Sequence, residues 1–105
     1  MNTLDTLFET IVERKSADPG TSWTAKLLSQ GVEKCAEKFG EEAVEAIIEA
    51  VKGDKDRLTE EAADVLYHLL VMLAASNVSL NDVLKVLEQR QGQSGIAEKA
   101  SRPEK

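Results

Sequence analysis

The sequence is poor in cysteine, proline and aromatic residues, and each shortage narrows the class of protein. One cysteine among 105 residues excludes an intrachain disulfide and a cysteine-rich zinc site. With only two prolines and few β-branched runs, an all-α domain is the natural class. The N-terminus lacks the basic segment and apolar stretch of a secretion signal, and the longest nearly apolar run, 65–75, is too short to span a bilayer. We expect a soluble cytoplasmic protein without a membrane partner.

The charge balance and the length constrain the partners. A net charge of -6 argues against binding to nucleic acid, but a phosphorylated small molecule remains compatible if a metal ion lies between the two negative partners. A chain of 105 residues forms one domain and buries only about two-thirds of its unfolded surface. We therefore expect a second copy to complete the core in a homodimer.

Apolar periodicity and turn signals predict four to five helices. The first should run from about residue 3 to Lys15, before the turn Asp18-Pro19-Gly20. A short helix follows, for which either Ser22 or Thr24 is a suitable N-cap.

Two long helices and a shorter one follow. The long helices should span residues 32–52 and 55–76, with Gly53 ending the first and Asp54 capping the second. Asn77 suits the position after the second, and Ser79 with Asp82 resembles a capping box for the last helix, 80–91. Residues 1–91 are thus predicted to be the helical domain. Residues 92–105 would be a tail that substrate or a partner chain orders.

Two pairs of acidic residues at helical spacing are the strongest chemical signal. Glu42 and Glu45 share one face of the first long helix, and Glu61 and Asp64 share one face of the second. An antiparallel hairpin would bring the four carboxylates together. Oxygen ligands alone favour Mg²⁺, with Mn²⁺ as the alternative. The neighbouring acids Glu41, Glu49 and Glu60 are more simply read as solvated.

Asp64 is the acid that most needs a cation. It lies between Ala62-Ala63 and Val65-Leu66, in a segment that is predicted to be buried on most sides. An uncompensated buried carboxylate costs several kcal/mol, comparable with the stability of a whole domain. With three other acids nearby, one basic side chain would not neutralise the cluster.

Three further residues on the helices are better explained by packing. His68, one turn after Asp64, is expected to be a core or hydrogen-bonded residue that supports the ligands rather than a ligand itself. Tyr67 should pack its ring and extend its hydroxyl to a polar group. Cys35 should be a small core residue.

The segments EKFGEEAVEAIIEA and EEAADVLYHLLVML resemble the phosphoribosyl-ATP pyrophosphatase family, within the wider MazG-type all-α nucleotide pyrophosphatases. SWTAKLL at 22–28 and SGIAEKASR at 94–102 extend the resemblance over nearly the whole chain. It implies a MazG-like helical bundle completed by homodimerisation. It also implies hydrolysis of phosphoribosyl-ATP to phosphoribosyl-AMP and pyrophosphate, the second step of histidine biosynthesis.

The resemblance also implies roles for individual residues. The metal-binding acids of the superfamily correspond to Glu42, Glu45, Glu61 and Asp64, and the family's basic positions correspond to Lys26, Lys38, Lys99 and Arg102, which would bind substrate. Trp23 stands where Tyr is expected in most relatives. For the carboxylate that accepts a proton from the attacking water, the candidates are Glu41 and Glu45.

Three other functions remain open from the sequence. One is a house-cleaning (d)NTP pyrophosphatase on the same scaffold, against which only the flanking segments argue. Another is a di-iron bundle, which usually needs two Glu-x-x-His motifs, whereas this sequence has a single histidine. The last is a helical dimerisation module without catalytic activity.

Overall fold

The computed structural model describes residues 2–91, which form five α-helices and one short 3₁₀ helix and contain no strand. The elements are α1 (Thr3–Glu13), the 3₁₀ helix (Arg14–Ser16), α2 (Trp23–Ser29), α3 (Val32–Lys52), α4 (Lys55–Ala75) and α5 (Leu80–Gln91). The all-α class predicted from the sequence is confirmed. Completion of the bundle by a second copy stays a prediction.

The helix boundaries follow from capping chemistry. Asn2 and Asp5 form a reciprocal capping box at the start of α1, and the Ser22 side chain accepts a hydrogen bond from the Ala25 backbone N–H at the start of α2. Of the two caps considered for α2, Ser22 is therefore the one used. Asp54 caps α4 by accepting from the Arg57 N–H at 3.0 Å.

Two C-termini depend on a left-handed backbone. Gly53 ends α3 with φ 77°, a conformation in which glycine has no steric penalty. Asn77 follows α4 with φ 59°, and Lys15 donates to its side-chain oxygen at 3.0 Å. Both positions agree with the sequence prediction. The Ser79 hydroxyl also accepts from the Asp82 N–H at 3.1 Å, as expected before α5.

Only the ends of two helices differ from the predicted bounds. The α-helical part of α1 stops at Glu13 rather than Lys15, because the next three residues tighten into the 3₁₀ helix. Ser76 caps α4 and is not its last helical residue. Differences of one or two residues are usual where helix ends fray.

The core lies at one end of the molecule, where α1 and α2 pack against α4. Its buried side chains are Ile11, Leu27, Cys35, Leu70, Val71, Ala74 and Leu80. Cys35 is completely buried and its thiol faces the Leu27 carbonyl at 3.3 Å, so its predicted role as a small core residue is confirmed.

None of the helices within residues 2–91 is long and apolar enough to cross a membrane alone. Taken together, α4 and α5 pass the same test of length and composition, but the pair is bent by 114°.

Candidate metal centre

The hairpin of α3 and α4 positions the acidic residues. These two long helices are joined by only Gly53 and Asp54, so they run antiparallel and pack along each other. Acids three residues apart on each helix then face the same seam. The predicted convergence of acids from both helices is observed for Glu42, Glu45 and Glu61, since one oxygen from each lies within 4.8 Å of the others.

Glu42, Glu45 and Glu61 form what we call the acidic cluster, and the crowding of their carboxyl groups changes pKa values within it. Burial raises the pKa of Glu42 to about 7, helped by a hydrogen bond with Glu45 and by the charges of Glu45, Asp64 and Glu61. The pKa of Glu61 is also raised, first by burial and then by the Glu45 charge. Without a cation, the fold therefore favours protonation of these groups.

A divalent cation fits the donor set of the acidic cluster. Glu61 Oε2 is buried and has no hydrogen-bond partner among residues 2–91. An orphaned carboxylate oxygen beside two other carboxylates is the arrangement that an oxygen-preferring cation such as Mg²⁺ would satisfy. Metal binding would also relieve the mutual repulsion that, after burial, contributes to the raised pKa of Glu42.

Asp64 occupies a different place from the one expected. Its side chain is exposed in the single chain, as are Ala62, Ala63 and Leu66, so the predicted burial is wrong. The periodicity identified an apolar segment, but α3, which packs along α4, leaves these four residues exposed. Asp64 lies outside the group of three converging oxygens, yet its charge raises the pKa values of Glu42 and Glu61. It therefore borders the acidic cluster.

Lys38 and Glu41 form an ion pair on α3, directly before the acidic cluster in the sequence. Lys38 Nζ lies 3.0 Å from Glu41 Oε2, and both side chains are partly exposed. The hydrogen bond from Lys38 is the main cause of the lowered pKa of Glu41, and the same contact raises the pKa of Lys38. The two residues predicted to bind phosphate and to act as a base are thus paired with each other in the free protein.

His68 and Tyr67 connect the acidic cluster to the core. His68 is buried and its Nδ1 has no hydrogen-bond partner among the described residues. Its ring meets the Tyr67 ring edge to face, with centroids 4.9 Å apart. The Tyr67 hydroxyl shares a hydrogen bond of 2.5 Å with the Thr24 hydroxyl of α2, which confirms the contact expected for it. The pKa of His68 is lowered by burial and, to a lesser extent, by the Lys38 charge.

The other residues singled out in the sequence do not belong to the acidic cluster. Lys26 lies on α2, with its Nζ 5.9 Å from the centre of the Trp23 ring. Lys99 and Arg102 lie outside the described residues. Glu60 is exposed, as expected for a solvated acid.

Glu49 is not the solvated residue that the sequence suggested. Only 12% of its side chain is exposed, and its buried Oε1 has Lys52 Nζ at 3.5 Å, too far for a well-formed hydrogen bond. Glu49 continues the line of Glu42 and Glu45 at helical spacing. This spacing from Glu42 and Glu45 is the signal in the sequence by which Glu49 differs from Glu60.

The fold and the acidic cluster define an all-α protein with a carboxylate-lined site suited to a divalent cation. The family model described as phosphoribosyl-ATP pyrophosphohydrolase matches residues 4–91. This chain belongs to that family.

Full-length relatives support the assignment. The chain is 76% identical over 100 residues to the phosphoribosyl-ATP pyrophosphatase of Roseobacter denitrificans, covering 95% of each chain. It is 72% identical to the protein of the same name from Dinoroseobacter shibae, covering 97% of this chain and 100% of the relative. The corresponding protein of Paracoccus denitrificans is 72% identical over 99 residues, covering 94% of this chain and 92% of the relative.

Proposed function

We propose that this chain hydrolyses phosphoribosyl-ATP to phosphoribosyl-AMP and pyrophosphate, the second step of histidine biosynthesis. The observation that carries the proposal is the convergence of Glu42, Glu45 and Glu61 within the segment that matches the family. The relatives bear the name of this activity over almost their whole length. The match gives no support to a house-cleaning (d)NTP pyrophosphatase.

Glu42, Glu45 and Glu61 would hold Mg²⁺, with Mn²⁺ as the alternative, and Asp64 would complete the set from the edge of the acidic cluster. The orphaned Glu61 Oε2 and the raised pKa of Glu42 support this assignment. When bound, the ion would screen the triphosphate from the acids and stabilise the charge that develops on the departing pyrophosphate. His68 would support the metal ligands of α4 from the buried side of the helix, where its ring packs against Tyr67.

The chain's own residues would bind the phosphates and accept a proton. Lys38 would exchange its Glu41 partner for a substrate phosphate, because a phosphate carries more charge than a single carboxylate. The attacking water would transfer a proton to a carboxylate as its oxygen bonds to phosphorus and pyrophosphate leaves. Glu41 and Glu45 stay the two candidate bases. The ion pair with Lys38 lowers the pKa of Glu41 until Lys38 moves to the phosphate, and Glu45 would accept the proton on an oxygen that does not bind the metal.

Residues 92–105 are proposed to form a tail that contributes Lys99 and Arg102 to substrate binding, beside the helical domain 1–91. Truncation after Gln91 should then raise KM or abolish activity while the helical content stays the same. An unchanged KM and rate would exclude a role for the tail.

A homodimer is also proposed. Its support is the exposed apolar surface on α3, formed by Val44, Ile47, Ile48 and Val51, of which Val51 is 84% exposed. A surface of this kind commonly marks an interface with another protein. A cytoplasmic location stays a prediction from the sequence.

The decisive experiment compares substrates. Purified protein with Mg²⁺ should release pyrophosphate from phosphoribosyl-ATP much faster than from each member of a panel of canonical and non-canonical dNTPs. Faster turnover of a dNTP would contradict the proposed substrate while leaving the metal centre intact.

A further inference from the structure

Trp23 is the only tryptophan in the sequence, and it lies on the surface. Its side chain is 56% exposed, although tryptophan is on average a highly buried residue. It lines an open cavity of about 650 Å³ between the Pro19-Gly20 turn and one face of α2. At 100° per residue, Trp23, Lys26 and Gln30 share that face, and all three line the cavity.

The side chain of Lys26 lies close to the exposed Trp23 ring. Lys26 Nζ lies 5.9 Å from the ring centre, at the distance of a cation–π contact. An exposed aromatic face beside a positive charge offers two contacts at once, namely stacking for a heterocyclic base and an ionic contact for a phosphate. This combination matches the chemistry of a nucleotide.

The cavity is fixed relative to the acidic cluster by a short chain of contacts. Thr24, next to Trp23, shares its hydroxyl hydrogen bond with Tyr67, and Tyr67 packs against His68. His68 lies one helical turn from Asp64, at the edge of the acidic cluster. The position of α2 is therefore coupled to the part of α4 that carries the proposed metal ligands.

We propose that Trp23 stacks on the purine of the nucleotide substrate, while Lys26 binds the phosphate of the phosphoribosyl group attached to that purine. This inference rests on the proposed function, which places the triphosphate at the acidic cluster. The purine and the remote phosphate then extend away from the acids and require a surface that is aromatic and basic. Trp23 and Lys26 provide such a surface on α2, which the hydrogen bond between Thr24 and Tyr67 joins to α4.

Because Trp23 is the sole tryptophan, its fluorescence reports on this position alone. Titration of the full-length protein in Mg²⁺ with phosphoribosyl-AMP should quench the emission saturably. Ribose 5-phosphate and pyrophosphate, which lack a base, should leave it nearly unchanged at the same concentrations. No quenching by phosphoribosyl-AMP, or equal quenching by the ligands without a base, would overturn the stacking role.

Steady-state kinetics provide the second test. Trp23→Ala should raise KM for phosphoribosyl-ATP about tenfold with kcat changed by less than about twofold, a size within the range for base stacking on an aromatic ring. Trp23→Phe and Trp23→Tyr should restore most of the affinity, because they keep a ring. Val78→Ala, a change at an exposed apolar residue after α4, is the matched control and should leave KM unchanged.

The two proposals fail in different ways. If the wild type does not hydrolyse phosphoribosyl-ATP, the proposed function is wrong, and the fluorescence titration still decides whether Trp23 contacts the base. If the wild type is active and Trp23→Ala has the KM of the wild type, the activity stands and the role of Trp23 is refuted.

Discussion

The two halves of the α3–α4 hairpin differ in what they bury. We call residues 32–39 and 67–75 the packed half and residues 40–66 the open half. All the buried residues of the hairpin, namely Cys35, His68, Leu70, Val71 and Ala74, belong to the packed half, which α1 and α2 cover. Between residues 40 and 66 no side chain reaches that degree of burial in the single chain.

The residues that stabilise the fold and the residues that could carry out chemistry lie in different halves of the same two helices. Apolar burial in the packed half provides the driving force for folding. The acidic cluster lies in the open half, where a partly solvated position makes several carboxylates tolerable in the absence of a cation. The open half also carries the exposed apolar surface of α3 formed by Val44, Ile47, Ile48 and Val51. One half therefore holds the chain together, and the other is available for a metal, a substrate and a partner.

The largest effect on activity is expected from substitutions in the acidic cluster and at its edge. Glu45→Gln and Asp64→Asn should each lower kcat/KM by at least about two orders of magnitude, because they remove metal ligation or charge stabilisation in the transition state. The measurement is pyrophosphate release, with circular dichroism to verify the fold. Glu60→Gln, a change at an exposed acid one residue before Glu61, is the matched control and should retain full activity.

Near-wild-type turnover in both variants would refute the metal-site assignment and favour a non-catalytic helical module. Adding Glu41→Gln to the series distinguishes the two candidate bases. Its loss should be smaller than that of Glu45→Gln, because Glu45→Gln also removes a proposed metal ligand.

Shortening a side chain should lower the free energy of unfolding clearly in the packed half and hardly at all in the open half. Leu70→Ala removes a side chain that is 1% exposed and should lower the free energy of unfolding by about 2–5 kcal/mol. Leu66→Ala, one turn earlier on the same helix, removes a side chain that is 44% exposed and should cost less than about 1 kcal/mol in a monomer. Chemical denaturation at low protein concentration measures both. Equal losses of unfolding free energy in the two variants would contradict the distinction between the halves.

The open half should also determine the oligomeric state. Ile47→Glu places a charge in the exposed apolar surface of α3 and should weaken a homodimer by at least about tenfold, because burying an unpaired carboxylate in an interface is costly. Analytical ultracentrifugation of the wild type and the variant provides the comparison. The control is Val86→Glu on α5, at a residue that is also exposed, by 42% compared with 61% for Ile47. A wild type that stays monomeric at high micromolar concentration would exclude the dimer.

The smallest effect concerns pH and metal binding. A carboxyl with a pKa of about 7, as for Glu42, is about one-tenth ionised at pH 6 and about nine-tenths at pH 8. Since the proton must leave before a metal binds, Mg²⁺ affinity should rise by about tenfold over this interval. Burial lowers the pKa of His68, so that ring is uncharged over most of the interval and does not reverse the sign.

Thermal melting with graded Mg²⁺ at the two pH values measures this affinity. In Glu42→Gln the dependence on pH should become flatter, although binding is weaker overall. Equal Mg²⁺ affinity of the wild type at pH 6 and pH 8 would show that Glu42 is already ionised in the metal-free protein.

The helices were predictable because their signals are local. Gly53, Asp54 and Asn77 each fix a helix end through their own backbone or side chain, and the structure uses all three as expected. The convergence of Glu42, Glu45 and Glu61 follows from helical spacing and a tight hairpin. It needed no knowledge of the rest of the fold.

Burial was less predictable because it depends on which faces other elements cover. Helical periodicity marks the apolar face of α4 along its whole length, but α1 and α2 reach only its second half, so Asp64 is exposed and His68 is buried. For the same reason, Glu49 was misjudged as solvated. The sequence offers no local signal for the exposure of Trp23 beside its cavity, which depends on the path of the preceding turn.

The short connection between α3 and α4 has a consequence for how the protein folds. Only Gly53 and Asp54 separate the two helices, so closing the hairpin costs little loop entropy, whereas joining Ile11 of α1 to α4 closes a much longer loop. Local contacts of this kind form early in folding. We expect the hairpin, and the acidic cluster with it, to assemble before the core does, so that like charges oppose the first step of folding and a divalent cation accelerates it.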